Sequence, residues 1–372
     1  MELIQILDTA VKQGASDLVL KDGMPPMLRV HGHLVPCEGA PPLTAEILER
    51  AATTILRDDA TRMRFVTERH VDLAFEQPGL ARFRVNVYRQ RGKIGIACRV
   101  ILPRIRGIAE LNLPPIVEQL ASERRGLILV TGATGSGKTT TLAAIIDHIN
   151  QTSARHIITI EDPIEYVHHE KGSIISQREI GEDVNDFPSA LHAALRQNPD
   201  VIMLGEMRDL ETIETAIMAA ETGHLVLSTL HTDDAPQTIM RTVTVFPEHK
   251  REQIRLVLAN VLRGVVSQRL LPHVDGTGVV PAVEVMIGTL RVRECIEKQR
   301  VQDLHDLIAQ GDNYGMQSFD QALMALFREG RISYEQALAN CHEPTDFEHR
   351  ARGIESRGDV LSEFHASSRA SA

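Results

Sequence analysis

The feature that most constrains the fold of this 372-residue chain is the segment 126–152, which joins an apolar run, a glycine-rich loop and an amphipathic stretch. The apolar run "GLILV" leads through Thr131 into "GATGSGKTT", Gly132 to Thr140, which matches the pattern G-x-x-x-x-G-K-[ST]. Glycines at these positions let successive backbone N–H groups turn towards one anion, and the positive end of the following helix faces the same point. The segment therefore predicts a phosphate-binding loop between a strand and a helix, and hence an α/β fold.

This loop predicts a nucleoside triphosphate site with ATP and Mg²⁺ as ligands. In that pattern Lys138 reaches the β- and γ-phosphates, and the Thr139 hydroxyl ligates Mg²⁺. The residues predicted to contact ATP here are Gly132, Ala133, Thr134, Gly135, Ser136, Gly137, Lys138, Thr139 and Thr140.

Three further apolar runs, "RHIITI", "DVIMLG" and "GHLVLST", lack polar alternation and predict buried parallel strands. Ligands of open α/β sheets bind at the carboxyl ends of such strands. Glu206 follows the second run in the Walker B position, so we expect it to manage Mg²⁺ and the attacking water. His231 follows the third run, where sensing of the γ-phosphate is favoured over a core role. His224 opens that run, roughly 23 Å from His231 at the rise of a strand, so the two cannot share a metal.

Acidic residues after the first run, Glu161, Asp162 and Glu165, have two interpretations. They belong to the site, or they cap the helix that follows. The pair His168–His169 is interpreted as a solvated turn.

The chain divides into five segments by pattern. Residues 1–102 predict a mixed α/β domain with a hairpin turning at Gly92, and 103–115 predict a proline-containing linker. Residues 116–289 alternate strands and helices, 290–350 predict a helical subdomain, and 351–372 have the composition of a disordered tail.

Arg82 and Arg84 share one face of the first hairpin strand. Two interpretations stay open for this pair: a solvated strand face, or a role in the site of a neighbouring subunit.

The composition of the chain limits the classes of ligand that it is expected to bind. The net charge is −10 and aromatics make up 3 % without any Trp, which disfavours nucleic acid as a ligand. The four cysteines lack a C-x-x-C spacing and indicate buried thiols in a reducing compartment.

No run approaches the ~18 apolar residues of a membrane span, and the start lacks the pattern of a signal peptide. We therefore expect a cytoplasmic protein without a transmembrane segment.

Four segments together resemble the motifs of the type II/type IV secretion ATPases. They are "GATGSGKTTT", "IITIEDPIEYVH", "LRQNPDVIMLGEMRDLET" and "ETGHLVLSTLHTDDA", which look like the Walker A, Asp-box, Walker B and His-box motifs. Within this family the chain is most similar to the PilT/PilU type, the retraction motors of type IV pili, and the likeness covers about nine-tenths of its length.

The resemblance implies an N-terminal PAS-like α+β domain joined to a RecA-like P-loop ATPase with a helical C-terminal subdomain. It implies a ring-shaped homo-hexamer at the inner face of the inner membrane, acting on a pilus platform protein to drive twitching motility. It further implies that Glu165 polarises the attacking water, with Glu206 helping through Mg²⁺. Arg82, Arg84 and Arg99 would contact nucleotide phosphates across domains, and His224 and His231 would link nucleotide state to subunit movement.

Departures from the family pattern leave the branch open. Assembly-type relatives carry extra N-terminal domains and a four-cysteine zinc module. This chain has neither, which favours retraction over assembly. Val19 stands where the family usually has His, however, and "RVRECIEK" matches the retraction signature "AIRNLIRE" only at Arg293 and Ile296. The alternatives are an accessory nucleotide-dependent subunit working with a paralogous retraction ATPase, or a DNA translocase on the same ATPase core.

Overall fold

The computed structural model describes residues 2–30, 32–101, 104–276 and 278–352. This part of the chain forms two compact units. The first holds the residues up to Ile105 together with Glu165–Val167, and the second holds Arg106–Ile164 and the residues from His168 onward. Both units combine helices with a sheet, so the predicted α/β class is confirmed.

The first unit has one antiparallel six-stranded sheet in the order β3-β2-β1-β6-β5-β4. Its elements are α1 (Leu3–Lys12), β1 (Asp17–Lys21), β2 (Met27–Val30), β3 (His33–Pro36), α2 (Ala45–Ile55), α3 (Asp59–Glu68), β4 (His70–Gln77), β5 (Ala81–Gln90) and β6 (Lys93–Ile101). Along β5, Phe83, Val85 and Val87 are fully buried while the residues between them are more exposed. This alternation turns one face of the sheet to the core and leaves the face with Arg84 open to solvent.

The second unit has a seven-stranded sheet in the order β13-β12-β7-β11-β10-β8-β9. Its strands are β7 (Gly126–Thr131), β8 (His156–Glu161), β9 (Ile174–Glu179), β10 (Val201–Leu204), β11 (Leu225–Leu230), β12 (Leu262–Pro272) and β13 (Val279–Ile287). All neighbours are parallel except the edge pair β12 and β13. The phosphate-binding loop follows β7, so it starts at the carboxyl edge of the parallel strands, level with the ends of β10 and β11.

Helices cover both faces of this sheet. They are α4 (Ile116–Ala121), α5 (Lys138–Thr152), α6 (Phe187–Ala194), α7 (Leu210–Glu221), α8 (Ala235–Thr244), α9 (Glu248–Val261), α10 (Leu290–Glu297), α11 (Leu304–Ala309), α12 (Phe319–Arg328), α13 (Tyr334–Asn340) and α14 (Pro344–Ala351). On β7, Leu127 and Leu129 join the core with α6 to α11, whereas Ile128 and Val130 join the core with α4 and α5. Two buried faces explain why these strands read as continuous apolar runs.

The segment predicted as a linker, 103–115, contains the boundary between the two units, and most of its described residues belong to the second. Ile108 and Leu113 are buried in the same core as α4 and α5. Residues 106–115 are therefore packed as part of the second unit, because the two apolar side chains are buried in its core.

The helices after β13 fall into two packing groups. α10 and α11 bury Val292 and Ile296 in the core of the sheet, while α12 to α14 pack with the ends of β12 and β13. They do not form a compact unit of their own. Residues 353–372, most of the predicted tail, lie outside the described residues. Among the described helices, none combines the length and the apolar composition needed to cross a bilayer.

Candidate active site

The loop between β7 and α5 is shaped by glycine. Gly132, Gly135 and Gly137 all have positive φ, at 142°, 81° and 90°. A Cβ atom on Gly132 would lie 2.4 Å from the Gln268 backbone oxygen and 2.5 Å from Ser136 Oγ. Because no other residue avoids both the forbidden φ and the collision, Gly132 is required for the loop to pass this close to β12.

Lys138 begins α5 and turns its ammonium group back over the loop. Its Nζ donates hydrogen bonds to the Gly132 oxygen at 2.8 Å and to the Ala133 oxygen at 2.9 Å. The residue is 8 % exposed. Burying an ammonium group is costly unless its hydrogen bonds are met, so these contacts hold the positive charge beside the loop.

Two oxygen atoms beside the loop are buried without a hydrogen-bond partner among the described residues, Ser136 Oγ and Gln268 Oε1. Both residues line a cavity of about 280 Å³, which the loop glycines and Asp233 also border. Buried polar atoms of this kind are rare in folded proteins and point to a bound ion, water or ligand. The loop, its lysine and these oxygens thus fit the phosphates of a nucleotide.

Glu206 stands two residues beyond the end of β10 and is held from two sides. Its Oε1 lies 2.6 Å from Arg208 Nε, and its Oε2 lies 3.5 Å from His231 Nε2. The Thr229 hydroxyl donates to the Gly205 oxygen at 2.7 Å, which fixes the turn before Glu206 to β11. Glu206 and His231, predicted from separate motifs, are thereby brought together at one edge of the sheet.

His224 is not brought to that edge. It precedes β11, so it lies at the amino end of the strand whose carboxyl end carries His231. Its Nδ1 is 2.9 Å from the Ala219 oxygen, in the last turn of α7. The ring therefore closes the end of that helix.

Glu161, the last residue of β8, and Glu165 are assigned to different units. Glu161 is 4 % exposed, and its Oε1 accepts hydrogen bonds from the Thr159 hydroxyl and from Gln177 Nε2. Glu165 is exposed and belongs with residues 165–167 to the first unit.

Arg84 and Arg99 are direct cross-strand neighbours on β5 and β6 of the first unit. Arg99 Nε donates to Asp17 Oδ1 at 3.0 Å, and Arg29 Nε lies 3.6 Å from the other oxygen of Asp17. Arg82 lies two residues before Arg84 on the same face. The three predicted arginines therefore share one row of cationic groups on a single sheet face.

Comparisons with known proteins show the family to which this chain belongs. The model of the type II/IV secretion system protein family matches residues 106–310. The type IV pilus retraction ATPase PilT of Pseudomonas aeruginosa is 44 % identical over 347 residues, which span 93 % of this chain and 100 % of PilT. The chain belongs to the type II/IV secretion system protein family. Within it the chain is an ATP hydrolase of the PilT/PilU type, as the sequence motifs predicted.

Two further relatives extend the likeness over nearly the whole chain of this ATPase. The type IV pilus ATPase PilU of Pseudomonas aeruginosa is 40 % identical over 363 residues, covering 97 % of this chain and 94 % of PilU. The crystal structure of the pilus retraction motor PilT with bound ADP has a TM-score of 0.88 at 44 % identity, covering 94 % of this chain and 99 % of that one.

Several residues at the site of this ATPase were missed by sequence reasoning. Gln268 and Arg269 reach the loop cavity from β12, more than 120 residues after the loop, and no local pattern marks them. Arg208, the partner of Glu206, could have been found, because a cation two residues after a Walker B acid is within reach of that carboxylate.

Proposed function

We propose that this chain is a Mg²⁺-dependent motor ATPase that powers type IV pilus retraction, and thus twitching motility, as a ring-shaped homo-hexamer. It acts on a platform protein at the inner face of the inner membrane. The observation that carries the proposal is the loop with its buried, unpartnered Ser136 oxygen and its lysine, in a chain 44 % identical to a pilus retraction ATPase over 93 % of its length.

The loop residues bind and orient the triphosphate. The backbone N–H groups of Gly135 and its neighbours and the amino end of α5 face the phosphates. The Lys138 ammonium group exchanges its hydrogen bonds to the Gly132 and Ala133 oxygens for hydrogen bonds to phosphate oxygens. Because it already lies beside the loop, this exchange needs no large movement of the side chain. Ser136 Oγ gains the partner that it lacks in the described residues.

Thr139 and Glu206 would hold Mg²⁺, since hydroxyl and carboxylate oxygens are the ligands this ion prefers. The bound ion supplies charge that stabilises the phosphate oxygens during transfer to water. Arg208 and His231 hold the Glu206 carboxylate in one orientation. His231 lies beside Glu206 at the start of the segment that leads to α8. Loss of the γ-phosphate would therefore act first on His231.

The remaining roles follow from the family resemblance. Glu165 polarises the attacking water, and Arg82, Arg84 and Arg99 contact the nucleotide phosphates. His224, at the end of α7, serves with His231 in passing the nucleotide state to subunit movement.

The test is the Lys138→Ala variant, with Lys250→Ala as the matched control. Lys250 pairs with Glu214 at 2.8 Å, outside the loop. We expect Lys138→Ala to weaken binding of a fluorescent ADP analogue and to lose ATP turnover, and Lys250→Ala to keep both. Turnover in Lys138→Ala above a tenth of wild type would contradict the assignment, and loss of pili rather than excess pili in a deletion strain would contradict retraction.

An accessory role is the second candidate, in which the chain works with a paralogous retraction ATPase. It is favoured by the α10 segment, which departs from the retraction signature, and by the 40 % identity to PilU over 97 % of this chain. ATP turnover by the isolated protein, together with restored retraction in a strain lacking every paralogue, would exclude this role.

A further inference from the structure

A buried carboxylate on β13, outside the predicted motifs, contacts the start of two helices. Glu284 is 3 % exposed. Its Oε1 accepts a hydrogen bond from the Ala235 backbone N–H at 2.9 Å, and the Phe319 backbone N–H faces the same carboxylate. Ala235 is the first residue of α8 and Phe319 the first residue of α12. One side chain therefore binds the amino end of α8 and faces the amino end of α12, two helix starts that are 84 residues apart in sequence.

Each backbone N–H group in the first three positions of α8 has an acceptor outside the helix. Ala235 donates to Glu284, Pro236 has no N–H, and the Gln237 N–H donates to Asp234 Oδ1 at 2.7 Å. The first three positions of a helix have no acceptor within the helix and need one from outside. Glu284 supplies the acceptor that Asp234, the N-cap residue, cannot supply to Ala235.

The start of α8 is also the end of the site loop. Only Thr232, Asp233 and Asp234 separate α8 from His231, which lies 3.5 Å from Glu206, and Asp233 borders the phosphate cavity. An acceptor that anchors Ala235 therefore limits how far the segment 231–234 can move.

Glu284 also faces a cation of the same cavity. Arg269 on β12 and Glu284 on β13 are diagonal cross-strand neighbours on one face, since Arg269 pairs with Ala282 and Ser267 with Glu284. Arg269 borders the phosphate cavity, its guanidinium stacks 4.1 Å above the Phe319 ring, and it donates to the Asn340 oxygen. Across the sheet, Glu284 pairs with Ser267 on β12, and Ser267 pairs with Thr131 on β7, the residue before the loop.

We propose that Glu284 is a positioning residue of the ATP site, which holds the His231–Asp234 segment through α8 and orients Arg269 beside the phosphate loop. The proposal deepens the ATPase function above and rests on it. Through Arg269, which stacks on the Phe319 ring, the same carboxylate connects this segment to α12, so a movement of the site loop is passed to the C-terminal helices.

The charge of Glu284 changes near neutral pH. Burial and the neighbouring Asp234 carboxylate raise the pKa of Glu284 to about 7, against the hydrogen bonds from Ala235 and Phe319 and the charge of Arg269. The charged groups facing it are Asp234 at the start of α8 and Arg269 on β12, and α12 contributes the Phe319 N–H. Protonation below pH 7 weakens the acceptor for the Ala235 N–H and removes the counter-charge of Arg269.

The decisive variant is Glu284→Gln, which keeps the size but offers one acceptor oxygen in place of two and carries no charge. The matched control is Ser318→Ala. Ser318 caps α12 by accepting from the Gln321 N–H, so its loss loosens the start of α12 while the hydrogen bond between Ala235 and Glu284 stays in place.

Three measurements on the full chain test the proposal. We expect hydrogen exchange of the segment 231–238 to be several-fold faster in Glu284→Gln and unchanged in Ser318→Ala. At pH 8 we expect kcat of Glu284→Gln to fall about 10-fold, with KM changed less than about 3-fold, as for a misplaced catalytic group. Wild-type kcat should rise through pH 7, and that rise should be absent in Glu284→Gln.

Exchange and kcat within twofold of wild type in Glu284→Gln would overturn the proposal. Equal effects of Ser318→Ala would also overturn it, because they would reduce Glu284 to a structural helix cap. If wild type itself hydrolyses no ATP, the proposed function fails, and the exchange comparison still decides whether Glu284 positions the segment.

Discussion

His231 Nε2 lies 3.5 Å from Glu206 Oε2, and the other oxygen of this carboxylate lies 2.6 Å from Arg208 Nε. The contact joins the carboxyl ends of two adjacent parallel strands, β10 and β11. Glu206 is thus contacted by Arg208, which follows the same strand, and by His231, which follows the neighbouring strand. The residue proposed to hold Mg²⁺ is therefore in direct contact with the residue proposed to sense the phosphate.

The first prediction separates the two glutamates. Glu165→Gln keeps size and hydrogen bonding but removes the carboxylate that is proposed to activate water, so Mg·ATP should bind normally while turnover falls by at least ~10². Glu206→Gln should also lose turnover, but with a shifted Mg²⁺ requirement, because that carboxylate is a proposed metal ligand.

The measurement is ATP affinity and turnover against Mg²⁺ concentration for both variants. Near-normal turnover in Glu165→Gln would leave this exposed residue without a catalytic role and move the assignment to Glu206.

The second prediction concerns Gly132. In Gly132→Ala the new Cβ meets the Gln268 oxygen at a φ of 142°, and a residue forced into such a region costs about 1–3 kcal/mol. Gly135→Ala is the matched control, since its φ of 81° is strained but nothing lies within 4 Å of the new Cβ.

We expect urea unfolding to show a larger loss of stability for Gly132→Ala than for Gly135→Ala, and a larger loss of ADP-analogue affinity. Equal losses would mean that the close approach of the loop to β12 is unimportant.

The third prediction concerns the arginine row. Arg84 faces Arg99 directly, and like charges at that position destabilise a sheet by about 0.2–1 kcal/mol. Replacing Arg82 and Arg84 by Gln should therefore leave the thermal midpoint unchanged or raise it, while turnover falls if both contact nucleotide. Arg29→Gln, which loses a contact with Asp17, is the control for a purely structural arginine. Parallel losses of turnover and stability in the double variant would favour a solvated strand face.

The fourth prediction is a pH dependence of stability from His168. Burial lowers the pKa of His168 to about 4, from 6.5, so the folded protein keeps the ring neutral while the unfolded chain takes up a proton below pH 6.5. Stability is therefore fully present above pH 6.5 and is lost as the pH falls towards 4, by up to about 1.4 kcal/mol per pH unit.

Urea unfolding of wild type and His168→Gln between pH 7 and 4.5 measures this loss. The variant should lose less stability than wild type over this range, and His169→Gln, at the exposed neighbour, should follow wild type. A wild-type slope in His168→Gln would show that His168 does not carry the effect.

His168 also shows where sequence reasoning was wrong. The pair His168–His169 reads as a solvated turn, yet His168 is 8 % exposed. The reason lies in α5: Asn150 and Asp147 bind the segment 168–173 through the His169 oxygen, the Lys171 N–H and the Lys171 ammonium group. These contacts pull the turn onto the helix that follows the phosphate loop. No pattern around His168 carries information about a helix that lies about twenty residues earlier.

The sequence alone determined the phosphate loop, the buried parallel strands and the acid and histidine at their ends. Each of these is a local pattern in which backbone geometry, helix dipole or burial acts over fewer than about twenty residues. The tertiary structure alone decided which of those residues meet: Glu206 with His231, Gln268 with the loop, and Glu284 with the starts of α8 and α12. Strand order brings these partners together, and that order results from burying both faces of one sheet at once, which no segment of the chain can do by itself.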